Sequence, residues 1–138
     1  MPITEYRTYS QARDNLKAIL DTAESGRLAT ISRDGATSAM VSAERLRTYL
    51  AETVTPNARA AHEDGAWALF IPGLPIGVEA TEFDDALTDL VDALRDYADD
   101  WVDHLYLAPN HTDNWGIVNL ILLSDDDALR HWAVGDQA

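Results

Sequence analysis

The sequence predicts an α+β protein built from two modules, and three observations carry that prediction. Hydrophobic spacing alternates along the chain between the two-residue step of strands and the three- to four-residue step of helices. Asp34-Gly35 sits between two β-prone runs, "RLATIS" and "ATSAMVS"; this marks a hairpin, because glycine tolerates the positive φ of the favoured two-residue turn. Charge is also divided. Through Arg59 there are eight basic and seven acidic residues, a balance of +1, whereas the remainder has 17 acidic residues against Arg95 and Arg130, a balance of −15. An acidic proteome would explain the total of −14 but not this split, so two modules with different partners are expected.

The first module, residues 1–52, reads β-α-β-β-α. Ile3–Arg7 suits a short strand. Thr8 or Ser10 can cap the helix that follows, and Thr8 with Gln11 has capping-box spacing. Ala12, Leu16, Ile19, Leu20 and Ala23 then mark one buried face, with Gly26 as the stop. After the hairpin, Ser42 opens a helix through Leu50 with Leu46, Tyr49 and Leu50 facing inward. About 50 residues make a marginal core, so a homodimer is expected. Residues 53–65, "TVTPNARAAHEDG", contain Pro56 and Gly65 and little apolar periodicity, and are expected to be a linker.

The second module, residues 66–138, is expected to be a β-β-α-β-α sandwich. "AWALFIPGLPIGVEA" suggests two strands around a Pro-Gly-Leu-Pro bend. Thr81 is positioned to cap a long amphipathic helix, whose apolar face runs through Phe83, Ala86, Leu87, Leu90, Leu94, Ala98, Trp101 and Leu105. "WGIVNLILLS" reads as a strand, and Ser124 as the cap of a final helix ended by Gly135.

Catalysis finds little support. There is no cysteine, no Gly-rich phosphate loop and no nucleophile elbow around Ser10 or Ser42. His62, His104, His111 and His131 lack zinc-site spacing. Asp125-Asp126-Asp127 offers a metal-dependent hydrolase reading, but carboxylates are favoured at a helix start by the dipole alone. No metal and no cofactor is expected. No apolar run is long enough to span a membrane, and "MPITEYRTYS" lacks signal-peptide character, so a cytoplasmic location is expected.

Nucleic-acid binding is better supported. Arg13 and Lys17 are one turn apart near the start of the first expected helix, where free N–H groups attract phosphate. Arg33 stands at the hairpin tip. Alternatively these are surface cations paired with Asp14 or Asp21.

"YSQARDNLKAIL…RLATISRDGATSAMVSAERLRTYL" resembles the Phd/YefM (prevent-host-death) antitoxins over residues 2–52. The shared order is Ser-x-x-Arg-x-x-Leu on the first helix, Ile-x-Arg at a strand end, a Gly turn and a helix opened by Ser. The resemblance implies a dimer that binds operator DNA, with Ser10, Arg13 and Arg33 at matching positions; Lys17 is added from helix geometry. "FIPGLPIGVEATEFDDALTDLVDALRDYADDW" is similar to HicB-type antitoxins, although those carry the DNA-binding part after this module. Together the resemblances imply autorepression by the first module and neutralisation of a cognate toxin by the second. A module at −15 suits a small basic ribonuclease. The competing reading is an acidic adaptor or DNA mimic that does not bind DNA.

Overall fold

The computed structural model describes residues 4–135 and divides into two compact units, Met1–Thr48 and Tyr49–Ala138. The chain is α+β, with one three-stranded sheet in each unit.

In the first unit β1 (Thr4–Tyr6) pairs in parallel with β2 (Ala29–Arg33), which pairs antiparallel with β3 (Ala36–Met40). Ile3, the expected first residue of β1, lies outside the described residues. Asp34 and Gly35 have φ of 51° and 84°, the double positive φ of a type I′ turn whose twist matches the strands. The single helix expected before β2 is two helices, α1 (Tyr9–Asp14) and α2 (Leu16–Glu24). Asn15 makes the break. Its backbone N–H bonds the Ala12 carbonyl and its side-chain amide donates to the Gln11 carbonyl at 2.8 Å, an alternative to the helical ladder. Thr8 caps α1 by accepting from the Gln11 N–H, while Gln11 Oε1 accepts from the Arg7 N–H. Gly26 ends α2 at φ 87°, and a Cβ there would meet the Arg45 guanidinium at 2.9 Å. The core is small: Ala12, Ile19 and Ala29, with Tyr6, Ile31 and Met40 against them.

The helix α3 (Ala43–Thr53) contains the division between the units. Its start follows Ser42, whose carbonyl accepts from the Leu46 N–H. Leu50 is buried, but Tyr49, expected inside, is 62% exposed.

The second unit corrects the sequence reading in two places. The expected linker contains a strand, β4 (Arg59–Glu63), joined to β5 (Ala66–Ile71) through Asp64-Gly65 with φ of 53° and 78°. With β6 (Ile76–Ala80) these form an antiparallel sheet in the order β4-β5-β6. Residues 115–124, expected as a strand, contain instead the helix α5 (Trp115–Leu123). A short, mostly apolar segment interrupted only by Asn119 fits either element by periodicity, and the sheet's third place is already taken by β4. The order is therefore β-β-β-α-α-α rather than β-β-α-β-α.

Between β6 and α5 lie the long helix α4 (Phe83–Asp103) and two short 3-10 turns. Ala86, Leu87, Leu90, Val91, Leu94, Tyr97 and Ala98 form its buried stripe, and each large apolar side chain there contributes about 1.5–3 kcal/mol of burial. Thr81 is not its cap; Glu82 occupies that place with extended backbone and no side-chain bond. The last helix, α6 (Asp126–Val134), is capped by Asp125, whose Oδ1 accepts from the Ala128 N–H at 2.8 Å. Ser124, the expected cap, ends α5. Trp132 donates from Nε1 to the Val54 carbonyl at 2.8 Å, holding α6 to the end of α3.

Candidate nucleic-acid interface and acidic partner surface

Ser10, Arg13, Lys17 and Arg33 are all exposed. Ser10 and Arg13 lie on α1, Lys17 in the first turn of α2, and Arg33 at the end of β2 beside the turn. The break at Asn15 removes the single helical ridge on which Arg13 and Lys17 were expected to share a face. It also leaves α1 at six residues, too short for a strong dipole at its start. Both cations have local partners: Arg13 Nε lies 3.5 Å from Asp14 Oδ1, and Lys17 Nζ 2.9 Å from Asp21 Oδ2. All four side chains are more than half exposed, and pairs of that kind hold a cation by no more than about 1 kcal/mol, so phosphate can compete for them. Arg33 forms no ion pair among the described residues.

The second unit treats its cations differently. Arg95 donates to the carbonyls of Ile121 (2.6 Å) and Ser124 (2.8 Å) and to Asp126 Oδ1 (2.8 Å). One guanidinium thus satisfies the open end of α5 and ties it to α4 and α6. Arg130 donates to Thr88 Oγ1 at 2.8 Å and to Asp84 Oδ1, joining α6 to α4. These internal jobs leave the wet face of α4 uncompensated. Asp85, Asp89, Asp92, Asp96, Asp99 and Asp103 are all exposed along it, spaced at three and four residues and so aligned in one stripe.

The remaining candidates have structural duties. Of the Asp125–Asp127 triplet, Asp125 caps α6 and Asp126 pairs with Arg95. Among the described residues no three His, Asp or Glu side chains are placed to hold a metal ion. His62 stacks on Trp67 with ring centroids 4.6 Å apart. Tyr97, buried, accepts from Asn114 Nδ2 at 2.9 Å and is 2.8 Å from His111 Nδ1, while Trp101 Nε1 donates to the His111 carbonyl. The titration of Glu44 is perturbed in one direction: its hydrogen bond from Arg47, then the attraction of that guanidinium, lowers its carboxyl below the ordinary value.

Exposed arginines and lysine are thus concentrated in the first unit, and an aspartate stripe runs along α4 in the second. The chain belongs to the PHD-like family described as "Antitoxin of toxin-antitoxin, RelE / RelB, TA system", whose model matches residues 3–132; it is an antitoxin of a toxin–antitoxin system, and a toxin is its partner. A crystal structure from Syntrophomonas wolfei subsp. wolfei, described as the antitoxin part of a proposed toxin/antitoxin system, has the same fold, with a TM-score of 0.81 at 20% identity over 96% of each chain. No curated protein matches the chain. No helix among the described residues is long and apolar enough to cross a membrane.

Proposed function

We propose that this antitoxin is of the Phd/YefM type in its first unit. That unit, as a homodimer, binds operator DNA through Ser10, Arg13, Lys17 and Arg33 and represses its own synthesis. The acidic second unit, which has the HicB-like pattern, neutralises a small basic ribonuclease in the cytoplasm by covering the cationic surface on which RNA would lie. The observation that carries this reading is the division of charge, sharpened by the internal use of Arg95 and Arg130. Exposed Lys and Arg side chains are concentrated in the first unit, with only Arg59 in the second, and the aspartate stripe of α4 belongs to the second.

The test is an operator-binding titration of the full chain, with Arg13→Ala beside it. The variant is expected to weaken binding and to lower the salt slope by about 0.9 for each phosphate that is no longer neutralised. In parallel, Asp89→Asn/Asp92→Asn/Asp96→Asn is expected to release the protein encoded in the adjacent reading frame without altering DNA affinity. The adaptor reading draws on one observation, the pairing of Arg13 and Lys17 with Asp14 and Asp21. It predicts no duplex binding even at low salt.

A further inference from the structure

The strand β4 is exposed at every position from Arg59 to Glu63, and it forms one edge of its sheet. Its register with β5 pairs Glu63 with Ala66, Ala61 with Ala68 and Arg59 with Phe70. Across a two-residue turn the flanking pair exchanges both backbone hydrogen bonds, and such pairs then alternate along the ladder. Glu63, Ala61 and Arg59 therefore direct their N–H and C=O groups towards β5. Ala60 and His62 direct theirs outwards, where no strand among the described residues receives them.

We infer that β4 is a self-association edge, on which a second copy of this chain pairs antiparallel about a two-fold axis through Ala61, joining two sheets into one of six strands. The register follows from charge. Centring the pair on Ala61 sets Ala60 opposite the partner's His62 in hydrogen-bonded positions, so every outward backbone group finds its match. It also sets Arg59 opposite the partner's Glu63, twice, in the non-hydrogen-bonded positions where side chains approach most closely. Sliding the register by two residues in either direction loses both ion pairs. Two other antiparallel edges exist among the described residues: β3 reads "ATSAM", without charge, and β6 reads "IGVEA", with Glu79 but no cation, so neither can set a register by ion pairs between two copies of itself.

A second observation lies on the helix-covered side of the same edge. A hollow of about 290 Å³, lined by Ala60, Leu69, Phe83, Leu87, Leu90 and Val134 among others, opens beside β4. His62 shares that side of the sheet, since it stacks on Trp67, which packs edge-on against Phe83. In the centred register the partner's His62 stands opposite Ala60, which lines the hollow. Arg59 suits the role because Arg95 and Arg130 are already committed within the unit. The net negative charge of two such units opposes the pairing, but ions at 0.15 M screen it beyond roughly 8 Å, and the aspartates that dominate it lie on α4.

The chain has no cysteine, so one introduced thiol reports one contact. Full-length Ala61→Cys, oxidised by diamide at 0.15 M salt and run without reductant, is expected to give a cross-linked dimer as the main species. Ala68→Cys, one strand inside the edge, is expected to give at least tenfold less. Adding Arg59→Glu to Ala61→Cys is expected to cut the cross-link about tenfold, and Glu63→Arg on top of that to restore it. His62→Pro, which removes an outward N–H but none used within the sheet, is expected to abolish the cross-link while circular dichroism stays unchanged. Absence of the Ala61→Cys dimer, equal cross-linking of Ala68→Cys, or indifference to the charge swap would overturn the proposal; a strand donated by a different protein would give that first result. The outcome is independent of whether the first unit binds DNA.

Discussion

Of the seven large side chains that are fully buried among the described residues, Ile19 belongs to the first unit, while Leu90, Leu94, Val118, Leu120, Ile121 and Leu129 belong to the second. The first unit leaves Tyr9, Leu16, Leu20 and Leu28 exposed and pairs Arg13 and Lys17 with exposed carboxylates. The second buries Leu90, Leu94, Leu120 and Leu129 and uses Arg95 and Arg130 as internal ties, while Phe70, Leu107, Trp115 and Leu122 stay exposed. Apolar and cationic groups left at a surface are available for contacts with something else. The units differ in their cations: of the second unit's three arginines two are internal ties and Arg59 alone is exposed, beside the aspartate stripe of α4.

Core truncation gives the largest expected effect. Leu94→Ala and Ile19→Ala each remove a wholly buried aliphatic side chain and are expected to cost about 2–5 kcal/mol. If the units are separately stabilised, urea titration followed by tryptophan fluorescence will separate the two variants. All four tryptophans lie in the second unit, so Leu94→Ala shifts the fluorescence midpoint and Ile19→Ala moves only the far-ultraviolet dichroism. A common shift in both signals would dissolve the distinction.

Arg95 comes next. Arg95→Met keeps much of the stem but strips the bonds to Ile121, Ser124 and Asp126. A loss of about 1.5–3 kcal/mol in the fluorescence transition is expected, as for hydrogen bonds from a charged group. A neutral result would mean that the carbonyl end of α5 is satisfied without the guanidinium.

The smallest effect is at Glu44, fully exposed beside Arg47. Its folded carboxyl titrates below the ordinary 4.5, so its contribution is present above that pH and is lost as pH falls below it. Glu44→Gln is therefore expected to narrow its small difference from the wild type below about pH 4.5, as read from dichroism midpoints across pH. A difference that widens on acidification would reverse the assignment.

Much of the fold is readable from the chain because turn chemistry is local. Asp34-Gly35 identifies one hairpin, and the same dipeptide at 64–65 marks a second, yet β4 carries no strand signal of its own. Its residues are exposed on both faces and so lack the alternation that betrays a half-buried strand. Residues 115–123 mislead for the opposite reason, since a segment whose one polar side chain is Asn119 has almost no period to read. At Asn15 the helical spacing of Ala12, Leu16 and Ile19 runs through a break made by a side-chain bond. That break is why the shared ridge of Arg13 and Lys17 follows from spacing and is absent from the structure. The four candidate DNA contacts are exposed, and the salt partners of Arg13 and Lys17 depend on how the chain folds locally.

Operator affinity as a function of salt, measured on the full chain and on Arg13→Ala/Arg33→Ala, tests the division of labour most directly. Separate surfaces for DNA and toxin predict weaker operator binding, a slope shallower by about 0.9 per phosphate no longer neutralised, and an undiminished complex with the toxin. An unchanged slope, or loss of the toxin together with the DNA, would contradict that division.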